Sequence, residues 1–283
     1  MLSFALRTIL AALALALGTM IGAAAIVLLA GDPGIPQAEG ALPWQAGSWL
    51  VIAGTLVWIA HNSRIRGWRL AASLATLLFG VAYFNSIIEA RFFGLISQKQ
   101  LFSILGMSLI GAGVLGIALL AILRGLSAPP AAEPGWTPRV SVGRIAIGAF
   151  AYLAVYFTAG LAILPFIESF YAPRVMPSGL EVIAMQLLIR GPVFVALAIL
   201  LVRMSAAPRT ATIVMTGAAL ALLGGVAMLM VPNPWIPDAT RWAHFVEVGV
   251  SNFVYGCFLG WLLTARSRTA AARSEMSASP VAP

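Results

Sequence analysis

Eight apolar runs of about twenty residues constrain this chain more than any other feature. That is the length an α-helix needs to cross roughly 30 Å of hydrocarbon at about 1.5 Å per residue. The runs fall at Phe4 to Leu29, Gln45 to Ala60, Leu70 to Phe92, Leu101 to Leu123, Ile145 to Leu164, Leu180 to Arg203, Ala211 to Met230 and Ala239 to Leu263. Lipid offers backbone groups no water partner, so only helices and closed barrels span it. Barrel strands would be only about ten residues long with alternating polarity, which these runs lack. The expected fold is therefore all-α, a polytopic transmembrane helical bundle of eight spans. Charged residues make up only 9% of the chain against 61% hydrophobic, where a soluble domain carries about a quarter charged.

Turn formers punctuate the runs. Gly31-Asp32-Pro33-Gly34 ends the first, and Asn233 to Asp238 separates the last two, with Asp238 expected to cap the eighth helix. Pro165 is expected to break or bend the fifth span just before Glu168, and Arg190-Gly191-Pro192 to kink the sixth. Gly18 with Gly22, and Gly256 with Gly260, have the four-residue spacing that lets another helix approach closely. Residues 1–264 read as one transmembrane domain. The Pro-rich stretch from Arg124 to Arg139 divides it into candidate halves 1–123 and 142–264, and the Ala/Ser-rich residues 265–283 read as a disordered cytoplasmic tail.

The net charge of +8 comes from scattered arginines and one lysine beside apolar runs, a membrane-anchoring pattern that argues against nucleic acid as a partner. The first run exceeds the apolar core of a secretory signal and is expected to be retained as a span. Cys257 stands alone, so cysteine use does not report the redox compartment. With eight alternating spans, Arg7, Arg64, Arg66, Arg69, Arg124, Arg139, Arg144, Arg203, Arg209, Arg266, Arg268 and Arg273 share one side. Arg91, Lys99, Arg174 and Arg241 take the other. The positive-inside rule then makes both termini cytoplasmic, in a plasma membrane or bacterial inner membrane. Arg64, Arg66 and Arg69 read as orientation signals and phospholipid contacts, and His61 as a loop residue.

Ionisable residues inside spans are functional candidates by default. The topology places Glu89, Glu168 and Glu247 near the same outer shoulder. His244 with Glu247, and Asn85 with Glu89, share helix faces. Arg190 enters from the same side, roughly 13 Å along its helix from Glu181, and needs an acidic partner among Glu247, Glu168 and Glu89, with Glu181 and Gln186 as weaker choices. Glu89, Glu168, Arg190, His244, Glu247, Asn252 and Asn85 therefore form the candidate substrate-binding or proton-coupling set.

Three functions fit that set. One is transport or binding of a small solute or ion, with Glu247 or Glu168 carrying a proton. Another is a membrane-embedded enzyme for a lipid-linked or amphiphilic substrate, in which a divalent metal is a candidate cofactor on His244, Glu247, Glu168 and Glu89. The third is a membrane assembly or sensor subunit whose network is architectural. His-x-x-Glu here reverses the Glu-x-x-His order of di-metal bundles, and no HExxH, Gly-x-Ser-x-Gly or Walker loop is present. The equal spacing of Glu89, Glu168 and Glu247 is coincidence, since the third begins an inward span while the others end outward ones. A four-plus-four repeat is the better candidate, although Arg190 and Pro165 lack clear counterparts in the first half.

Overall fold

The computed structural model describes residues 2–36, 38–126 and 136–266. The prolines and acidic residue of the linker (Pro129, Pro130, Glu133, Pro134) with Gly135, and the tail with Arg268 and Arg273, lie outside the described residues. Among those described, eight helices are long and apolar enough to cross a membrane. They are α1 (Phe4–Ala30), α2 (Ala41–His61), α3 (Gly67–Phe92), α4 (Gln98–Ile122), α5 (Val142–Tyr171), α6 (Gly179–Met204), α7 (Arg209–Leu229) and α8 (Asp238–Leu262). The protein is an all-α, multi-pass membrane protein. Serines cap four N-termini, Ser3, Ser97, Ser141 and Ser178 each accepting from a backbone N–H in the first turn, which satisfies donors a helix start would leave bare.

Two sequence expectations about helix ends change. Pro165 does not end α5, which runs through it to Tyr171. Proline deletes one backbone bond, and such losses are tolerated inside membrane helices where neighbours re-satisfy the freed group. Asp238 is the first residue of α8 rather than its cap, and its carboxylate bonds Arg241 at 2.9 Å. The kink expected at Arg190-Gly191-Pro192 takes the form of a wide turn. Residues Gln186–Arg190 are π-helical, with the Gly191 N–H reaching back to the Gln186 carbonyl. Two further π segments, Leu78–Phe84 in α3 and Leu222–Val226 in α7, lie against each other.

The arginines on one face are tied to backbone carbonyls at helix C-termini. Arg7 donates to the Ile122 carbonyl at 3.2 Å, Arg64 to Ser205 at 2.9 Å and Arg144 to Leu262 at 3.0 Å. Arg66 reaches the carbonyls of Ala60, Ser63 and Ile65, and Arg209 the carbonyl of Trp261 at 3.4 Å. Helices α2, α4, α6 and α8 all end on this face, and a cation beside a C-terminus meets both the orphan carbonyls and the negative end of the helix dipole. Arg64 and Arg66 thus also hold backbone carbonyls, beyond the orientation and phospholipid contacts expected of them. His61 is likewise not in a loop but ends α2, with its ring 5.6 Å from Phe4.

The same face is closed by a two-stranded pairing of β1 (Trp136–Pro138) with β2 (Thr264–Arg266). Trp136 is buried there, donating its indole N–H to Ala207 at 2.9 Å beneath the Arg64 guanidinium. Gly18 performs the close-approach role expected of it. A Cβ there would lie 2.8 Å from the Gly111 carbonyl oxygen, so α1 and α4 meet backbone to backbone.

Candidate functional site

Arg190 sits at the end of the wide turn in α6 and is buried. Its Nη1 forms an ion pair with Glu89 of α3 and donates to the Gln186 side chain at 3.1 Å. The guanidinium carbon lies 5.5 Å from the Tyr152 ring and 6.0 Å from Tyr156, rings whose faces attract a desolvated cation. Of the sequence-level partners, Glu89 is the one selected, with Gln186 in support. A charge buried within a membrane bundle is stable only with such a partner.

A second chain of side chains joins α5 to α8. The Tyr171 hydroxyl lies 3.3 Å from His244 Nε2, His244 Nδ1 lies 3.5 Å from Glu247, and the Ser251 hydroxyl donates to Glu247 at 3.2 Å. His244 and Glu247 are mostly buried, with 20% and 13% of their side chains exposed. Both lie within electrostatic reach of Glu89, so the ion pair and this chain form one polar region spanning α3, α5, α6 and α8.

The remaining candidates separate. Glu168 is exposed on the flank of α5, carried there because the helix continues through Pro165. Asn85 is 1% exposed, and neither of its amide atoms has a partner, so it does not orient Glu89. Gln186 Nε2 and Arg190 Nε are buried and unpartnered as well. Asn252 points its amide at the Gly224 carbonyl, at a long 3.5 Å, inside the wide turn of α7. Among the described residues no three His, Cys, Asp or Glu side chains are grouped to hold a metal. The donor set His244, Glu247, Glu168 and Glu89 is therefore not assembled, with Glu168 turned outward and Glu89 engaged by Arg190.

Sequence reasoning missed the aromatic wall. Tyr152 and Tyr156 are one helical turn apart, a spacing that marks a shared face, and that signal was available. Arg241 was placed only as an outer-face cation. It is buried, holds the Leu229 carbonyl at 2.7 Å and lies 4.5 Å from the Trp242 ring. The structure thus carries a buried network of polar and charged residues within a multi-pass bundle. No known protein family matches the chain, and no curated protein or solved structure matches it either.

Proposed function

We propose that the chain is a membrane assembly or sensor subunit whose charged residues form an architectural network, in a plasma or bacterial inner membrane with both termini cytoplasmic. The observation that carries this reading is the engagement of Arg190. Its guanidinium is closed off by Glu89, Gln186 and two tyrosine rings rather than left facing a substrate. The orientation rests on the arginine-rich face. A double-mutant cycle tests the role. Breaking a fully buried pair by removing one partner costs about 3–5 kcal/mol, and less is expected here because Glu89 keeps 28% of its side chain exposed, whereas replacing both by apolar groups is often neutral. Glu89→Leu and Arg190→Met should each destabilise strongly while the double variant recovers most of the loss. Additive damage in the double variant, measured by unfolding in mixed micelles, would refute an architectural pair.

One observation favours a second reading, binding of a small solute or ion with proton handling. The Tyr171–His244–Glu247–Ser251 chain runs beside the Glu89–Arg190 pair and joins titratable groups in series. Reconstituted vesicles carrying Glu247→Gln would lose any ion-coupled proton movement while retaining wild-type stability. Wild-type vesicles that move no protons under any ion gradient would remove this reading.

A further inference from the structure

The helix packing repeats. In the first four helices α1 packs on α2 and α4, and α3 on α4; in the last four α5 packs on α6 and α8, and α7 on α8. Contacts between the two sets follow the same rule, since α2 against α7 becomes α6 against α3 when each helix is exchanged for the one four places along, and α3 against α7 maps onto itself. Four crossings return a chain to its starting face, so the two units run parallel, related by rotation about an axis along the bundle.

Details repeat with the packing. Ser3 caps α1 while Arg7 reaches the Ile122 carbonyl at the end of α4; Ser141 caps α5 while Arg144 reaches the Leu262 carbonyl at the end of α8. Gly116 of α4 approaches Ala75 of α3, and Gly256 of α8 approaches Gly217 of α7. At the centre of the arginine-rich face the units meet through reciprocal backbone bonds. The Arg64 N–H donates to Met204 at 2.7 Å, the Ala206 N–H donates to Asn62 at 2.7 Å, and Ser63 stands opposite Ser205. Residues 62, 63 and 64 are each 142 positions from 204, 205 and 206, so this pairing is its own symmetry mate and lies on the axis.

Polar chemistry breaks the symmetry. Counting back 142 positions from Arg190 gives Ser48 in α2, which is buried with its hydroxyl unpartnered. Glu89 belongs to the first unit and Arg190 to the second, so the ion pair crosses the seam between units. Asn85 on one side of that seam and Gln186 and Arg190 on the other hold four buried side-chain atoms without a partner, although such atoms also occur away from it, at Thr8 and Ser48. Unmade hydrogen bonds of buried groups are costly, and water entering the seam would satisfy them. Both π segments at the α3–α7 crossing, and the third at Arg190, lie in this half of the bundle's core, and wide turns of this kind occur at functional, deformable positions.

We propose that the protein is a clamp. Its two four-helix units rock about the Ser63–Ser205 pairing, the Glu89–Arg190 pair latches the seam, and release of the latch opens a water-accessible cleft lined by Asn85, Gln186 and Arg190. The proposal builds on the network described above but adds motion to it, and the two fail differently. Asn85→Cys in a Cys257→Ser background is probed with a membrane-impermeant quaternary-ammonium methanethiosulfonate, alongside Leu74→Cys, a fully buried control within the first unit. Glu89→Gln should raise the labelling rate at position 85 at least tenfold and leave position 74 unchanged. A rise at both positions, or at neither, overturns the clamp; a drop in stability without opening leaves the architectural pair standing alone. A second measurement does not depend on the latch variant. Spin labels at Gln98→Cys and Val175→Cys, exposed on the face away from the axis pairing, should show two distance populations in the otherwise wild-type protein. Labels at Trp68→Cys and Val142→Cys, exposed on the arginine-rich face, should show one. A single population at both ends rules out rocking.

Discussion

Replacing Asn85 with leucine should make the protein more stable. Asn85 is 1% exposed, and both amide atoms are buried without a partner. Burying an unpaired amide costs ~1–3 kcal/mol on scales drawn from protein substitutions. In membranes the relief is smaller, because the unfolded chain in lipid also finds partners, and measured side-chain hydrogen bonds there average about 0.6 kcal/mol. Leucine matches asparagine closely in shape and adds apolar contact with the surrounding helices. The expected gain is therefore about 1 kcal/mol, read as a shift of the unfolding midpoint in mixed micelles at unchanged slope. In the clamp the effect has a second reading, since an apolar residue at position 85 disfavours a hydrated seam. The labelling of a neighbouring reporter, Gln186→Cys, should slow in the Asn85→Leu background. A loss of stability of 1 kcal/mol or more on Asn85→Leu would refute the reasoning, because it would mean that the amide is satisfied in the folded protein.

Other substitutions separate the groups by role. Glu168→Gln should change stability by no more than about 0.5 kcal/mol, since Glu168 is exposed and away from the network; a larger loss in thermal unfolding would place it in the structure. Arg144→Gln and Arg7→Gln remove equivalent carbonyl contacts at the ends of α8 and α4 and should each cost about 0.5–2 kcal/mol, and costs that differ several-fold would argue against their equivalence. Trp136→Phe keeps an aromatic ring but deletes the bond to Ala207 and leaves part of the buried indole's space empty, for about 1–3 kcal/mol, checked by the same midpoint shift. Gly256→Leu should prevent α7 and α8 from closing, because even a Cβ there would lie 2.7 Å from Gly217 Cα; a monodisperse, wild-type-like variant on size exclusion would contradict that packing.

The sequence by itself determined the class and the number of spans, and it picked out Glu89 and Arg190 but not the tyrosines beside them. Apolar run length is a one-dimensional property set by bilayer thickness, so eight helices could be counted without knowing what touches what. Arginine asymmetry was equally legible, because it depends only on which loops share a side. What the arginines do was not, since Arg7 reaches Ile122 and Arg64 reaches Ser205 across more than a hundred residues. Partner choice for Arg190 also needed three dimensions. From the sequence Glu89, Glu168 and Glu247 were expected at one depth and could not be told apart, whereas in the structure Glu168 is exposed and Glu89 meets Arg190. The repeat hid for a related reason. Small and apolar residues substitute freely at lipid-facing and packing positions, so the sequence suggested two four-helix halves only through the Pro-rich linker, and the repeat proposed above rests on the contacts of α1 to α4 and of α5 to α8. Sequence pattern records what each helix must bury from water or lipid; the tertiary structure decides which face meets which, and that decision pairs Glu89 of α3 with Arg190 of α6.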